Sequence, residues 1–161
     1  MSKRLFLFAL LIGAGAYSNH IQACAFHLNV DISQLNFQTA DHPLSLPVQL
    51  ATNRAHKAKL IQRPHLPDTG EEAFRQVSWW LTLFAQQLQA NHHKDAHLVV
   101  IDIPLWSEFK QGRRFMRIDV EPPIDQEAPV IALTQATLYS VANGLLSFEE
   151  AIEQNLIMST Y

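Results

Sequence analysis

The stretch LVVIDIPLWSEFKQGRRFMRIDV, residues 98–120, decides the fold class. Residues 98–103 are almost all aliphatic, and residues 114–120 alternate, with Met116, Ile118 and Val120 on one face. Between them, residues 107–112 read as a turn, with Gly112 placed for a positive φ. Two strands joined by so short a connection pair antiparallel, because a parallel return needs a crossover of a dozen residues or more. The stretch therefore predicts an α+β fold: a small antiparallel sheet, with room for a mixed pairing, packed on helices.

Upstream of the hairpin, residues 68–91 carry the strongest helical pattern in the chain. Phe74, Val77, Leu81, Phe84 and Leu88 recur at three- and four-residue steps, with Ala73 and Trp80 widening the stripe. Asp68 with Glu71, and Thr69 with Glu72, offer capping patterns at its start. Trp79 lies about 100° round the axis from Trp80 and is expected on the outer side. Before this helix, Arg63-Pro64-His65-Leu66-Pro67 is held extended by its prolines. A shorter helix over 46–60 is capped by Ser45, carries Pro47 in its first turn and has a basic end at Arg54, Lys57 and Lys59. Residues 36–43 read as loop, and Phe26, Leu28, Val30 and Ile32 alternate as a first strand.

Downstream, Pro122-Pro123 breaks the second strand and residues 130–133 form a short buried one. Thr134 caps a helix that stops at Asn143-Gly144, Ser147 and Glu150 box the start of another, and residues 156–159 can make a last strand.

The N-terminus sets the compartment. Lys3 and Arg4 precede an apolar run and the small residues Ala23, Cys24 and Ala25, the layout of a secretory signal peptide over residues 1–25. The run is shorter than a membrane span and is broken by Gly13 and Gly15. Residues 26–161 then form a single domain, periplasmic or extracellular. Cleavage after Ala25 discards Cys24. Cleavage after Ala23 leaves Cys24 first, where Ile21-Gln22-Ala23-Cys24 could serve as an acylation box and tether the domain to a membrane.

Composition excludes several function classes. Losing Lys3 and Arg4 takes the formal charge from −3 to −5, without the basic footprint that nucleic acid requires. Cys24 is the only cysteine, so internal disulfides, zinc ribbons and Fe–S clusters are ruled out. No G-x-S-x-G motif or phosphate-binding glycine loop occurs. The sequence names no cofactor and no catalytic residue.

Three groups of residues invite a binding role. Eight histidines include the cluster His92, His93 and His97, of which His93 and His97 would face one metal ion if the helix ran through them. The pattern predicts that the helix ends before Lys94, which separates the two rings. Cys24 with His27 is a second candidate metal pair. Trp79, Trp80, Phe84, Trp106, Met116 and Leu138 are the candidate lining of an apolar pocket. Asp102, Glu108, Asp119 and Glu121, with Arg113, Arg114 and Arg117 nearby, read as a solvated face with cross-strand pairs.

The hairpin, the strand Pro129-Val130-Ile131-Ala132-Leu133 entering a helix at Thr134, and the run Gly144-Leu145 through Ala151 together resemble the sterol-carrier (SCP2-like) fold over the C-terminal half. The run is similar to that family's glycine-leucine-x-x-x-x-x-alanine segment. The glycine with which the family usually closes its last strand is missing here. The resemblance implies an apolar cavity for a hydrophobic ligand and carries no catalytic residue. The reading reached on the sequence is an exported, non-catalytic binding protein for a hydrophobic small molecule. Its alternatives are an envelope metal-binding or redox-accessory protein using its histidines, and an interaction subunit of an envelope complex.

Overall fold

A computed structural model describes residues 42–67, 70–103, 105–113, 116–124 and 129–160. The signal segment, Cys24, His27 and the first strand expected at 26–32 lie outside these residues. The described elements are α1 (Ser45–Lys57), α2 (Gly70–Ala90), β1 (Ala96–Val100), β2 (Leu105–Phe109), β3 (Arg117–Ile118), β4 (Val130–Leu133), α3 (Gln135–Ala142), α4 (Phe148–Glu153) and β5 (Ile157–Ser159). The strands form one sheet in the order β3-β2-β1-β4-β5. All neighbours are antiparallel except β1 and β4, which run parallel. The fold is α+β with a mixed sheet.

The hairpin differs in detail from its sequence pattern. The first strand stops at Val100, and residues 105–109, part of which read as turn, form β2. Ile103 N–H donates to Val100 O at 3.3 Å, so the chain reverses over 101–103 and β2 pairs back along β1. The cause is composition: Asp102 resists a buried strand interior, and Pro104 has no N–H to give to a ladder. In β2, Leu105, Ser107 and Phe109 are buried while Trp106 and Glu108 are only partly so, a period-two pattern that the polar Ser107 disguises. The second turn sits at 110–113, closed by Arg113 N–H to Lys110 O, with Gly112 at φ +79°.

One face of the sheet packs on α2, α3 and α4. Trp80, Leu81, Phe84 and Leu88 meet Leu98, Val100, Leu105, Phe109, Ile131 and Leu133, with Leu138 and Phe148 closing the layer. The side chains of Leu81, Phe84, Leu88, Leu98 and Leu138 have no accessible surface. Each such burial contributes roughly 1.5–3 kcal/mol. Trp80 packs edge-on against Tyr139, and Phe84 tilts against Phe148. On the opposite face Val99, Ile101, Val130 and Ala132 pack with Val48 of α1. Helix α1 passes the end of the sheet, giving Val48 to this cluster and Ala51 and Ala55 to the other.

The local signals do their work at the helix ends. The Thr134 side chain accepts from Thr137 N–H at the start of α3. Ser147 and Glu150 form a complete capping box on α4. Gly144, at φ +68°, follows the end of α3. Helix α1 begins one residue earlier than its pattern suggests, with Leu44 at the cap and Ser45 inside the first turn. Among the described residues no helix is long and apolar enough to cross a membrane.

Candidate functional site

The parallel pairing of β1 with β4 brings two carboxyl-terminal strand ends side by side. Val100 stands opposite Leu133, so the residues that follow, Asp102 on one strand and Thr134 and Gln135 on the other, emerge together. Crevices at such strand ends are where open sheets most often hold ligands. Helix α1 and the extended segment after it wall the opening, which has a volume of about 490 Å³. Thr52, His56, Arg63, Asp102 and Gln135 are its chemically active lining.

Asp102 occupies the start of α3. Its Oδ1 accepts from Gln135 N–H at 2.8 Å, a favourable place for a negative charge because the first amides of a helix point outward. Burial nevertheless dominates and pushes the Asp102 carboxyl up to about 6, against the opposing pull of the Gln135 and Asp102 amides, the positive charge of Arg63 and, when its ring is protonated, that of His56. The group therefore changes charge close to neutrality, a property that is common in functional sites.

A chain of hydroxyls fixes the floor. Thr134 Oγ1 lies 3.1 Å from Thr52 Oγ1 and 3.0 Å from Thr137 Oγ1, and all three threonines are buried. This ties α1 to the first turn of α3, so the two walls cannot drift apart without breaking buried hydrogen bonds. His56 is oriented in its turn. A carbonyl can only accept, so His56 Nδ1–H donates to Ile61 O at 3.0 Å, leaving Nε2 as an acceptor in the neutral ring. The Gln135 side-chain nitrogen Nε2 is buried and has no hydrogen-bond partner among the described residues. The cleft thus offers acceptors at Asp102 and His56 and donors at Arg63 and Gln135.

The residues singled out on the sequence lie elsewhere. Trp80, Phe84, Met116 and Leu138 belong to the core beneath α2, Trp106 sits on the other face of the sheet against His42, and Trp79 is 60% exposed. These six are divided among two core clusters and the surface, and none of them lines the polar cleft. Helix α2 ends at Ala90, before the histidine cluster. His92 follows in a left-handed conformation, His93 packs edge-on against Phe148, and His97 lies on β1 opposite Glu108. Burial lowers the His93 pKa. Among the described residues no group of three or more His, Cys, Asp or Glu side chains is placed to hold a metal ion.

Among the hairpin charges Glu108 pairs across strands with Arg117 at 3.0 Å and, along its own segment, with Lys110 at 3.1 Å. Asp102 is withdrawn from that face into the cleft. No family model, curated protein or solved structure matches the chain. The site is therefore read from its own geometry. Sequence reasoning placed Asp102 among the hairpin charges and missed His56, Arg63 and Gln135. The signal available was an acidic residue inside an otherwise aliphatic run, which requires a special reason.

Proposed function

We propose that the chain is an exported, non-catalytic binding domain that holds a small zwitterion in the cleft at the carboxyl ends of β1 and β4. The carrying observation is the convergence there of Asp102, Arg63, His56 and Gln135 on a floor of buried threonine hydroxyls. An ammonium group suits Asp102, with His56 Nε2 as a second acceptor. A carboxylate suits the Arg63 guanidinium and the Gln135 amide. The volume falls within the usual range of small-molecule sites. Export is supported by the basic, apolar and small-residue order of residues 1–25. A polar ligand is favoured over a hydrophobic one because the aromatic and aliphatic candidates fill separate core clusters rather than share a cavity.

A thermal-shift panel of amino acids and other small zwitterions tests this reading. At 100 times its Kd a true ligand stabilises by about 2.7 kcal/mol, a rise in Tm that Arg63→Gln and Asp102→Asn should each abolish. No shift from any member of the panel, or a shift that survives both substitutions, would overturn it.

A further inference from the structure

The outward face of α1 is built differently from the rest of the surface. Leu46, Leu50, Asn53 and Lys57 follow one another at four-, three- and four-residue steps, which places them on one stripe, with Arg54 at its margin. Leu46 is 66% and Leu50 53% exposed, and Leu60 just beyond the helix is 50% exposed. The opposite side of the same helix, Val48, Ala51 and Ala55, is buried. The leucines are therefore not spillover from the core stripe; they form a second, external one.

The charge around them has a single sign. From Asp41 to Asp68 the intervening sequence holds no Asp or Glu, although the chain as a whole carries −3. Arg54, Lys57, Lys59 and Arg63 all fall in this interval and are exposed. Among the described residues none of the four forms an ion pair within 4.0 Å. A shallow groove of about 600 Å³ opens between Leu50, Arg54, Lys57 and Arg63.

We infer that this face of α1 docks on an anionic phospholipid surface, the leucines entering the headgroup boundary and the cations meeting lipid phosphates. Helices that pair exposed apolar side chains with Lys and Arg lie in that interface. Charge complementarity selects an anionic surface. The exposed leucines favour lipid over an acidic polypeptide, which would satisfy the cations and leave Leu46 and Leu50 in water. The docking face shares Arg63 with the proposed zwitterion cleft, but Leu46, Leu50, Arg54 and Lys57 do not line that cleft, so variants at these four positions test the lipid seat separately from the ligand site.

The test is co-sedimentation of the protein, as isolated from producing cells, with phosphatidylcholine vesicles containing about one-third phosphatidylglycerol. Wild type is compared with Arg54→Gln/Lys57→Gln and Leu46→Ser/Leu50→Ser, each checked for unchanged circular dichroism. Each basic residue at an anionic surface is worth roughly five-fold in partitioning, so the first variant should lose about 25-fold. The second should lose at least about ten-fold. Wild-type binding should fall steeply between 0.1 and 0.5 M salt and be absent on pure phosphatidylcholine. Equal partitioning of wild type and both variants would overturn the inference. Loss in the cationic variant alone would replace the lipid seat with a purely electrostatic patch, and that too would overturn it.

Discussion

The layer beneath α2 and the cleft beside α1 use the same sheet in opposite ways. Under α2 the strands present Leu98, Val100, Ile131 and Leu133 to Trp80, Phe84 and Leu88, and the space is filled. At the strand ends, one or two residues further along the same chain segments, Asp102, Thr134 and Gln135 face a crevice whose lining is mostly polar. The difference teaches how one sheet can separate a filled apolar layer from a polar crevice. Apolar side chains in the strands hold the platform. The residues just past the strand ends, freed from the ladder, are the ones to which the binding role is proposed to fall.

The sharpest way to break this comparison is to damage one region and measure both. Phe84→Ala removes a fully buried ring and is expected to cost about 3–5 kcal/mol in denaturant unfolding. Under conditions where the variant remains folded, ligand affinity at the cleft should stay within a factor of about two.

Asp102→Asn should act in the reverse sense. A carboxyl whose pKa is raised from 3.8 to about 6 on folding binds more protons in the folded state, so stability falls as pH rises from about 4 to about 6 and stays lower above that. The asparagine variant should lose this dependence and gain on the order of 2 kcal/mol relative to wild type near pH 7.5, in urea titrations at several pH values. Ligand binding should vanish with the charge. An unchanged pH profile would mean that Asp102 titrates as a solvent-exposed carboxyl.

Thr134→Val tests the join between the two regions. It removes the cap on Thr137 N–H and breaks the hydroxyl chain to Thr52. The expected loss is about 1–2 kcal/mol by the same urea titration, with weakened ligand affinity because the cleft wall loosens.

Much of the framework was legible because its signals are local. The stripe from Val77 to Leu88, the cap at Thr134, the Ser147–Glu150 box and the stop at Gly144 each lie within a few turns of chain. Strand β2 was obscured because buried Ser107 interrupts an alternation that Leu105 and Phe109 otherwise carry. Of the cleft, only Asp102 left a local signal, as an acidic residue inside an aliphatic run. Asp102 and Gln135 are 33 residues apart and Thr52 and Thr134 are 82 apart. Only the parallel register of β1 on β4 brings the first pair together, and composition does not encode that register. The aromatic residues drew attention as a pocket lining, yet an apolar side chain at helical spacing more often fills a core, as Trp80 and Phe84 do here.

The most direct test of the central claim is a nitrogen-15 NMR titration of the protein with the strongest zwitterion from the thermal panel, at pH 7.5. Binding at the strand ends should move the amides of Asp102, Gln135, His56 and Ile61 and leave those of Phe84 and Leu88 still. Shifts centred on α2 or on the β2–β3 turn, with Asp102 and Gln135 unmoved, would contradict the account.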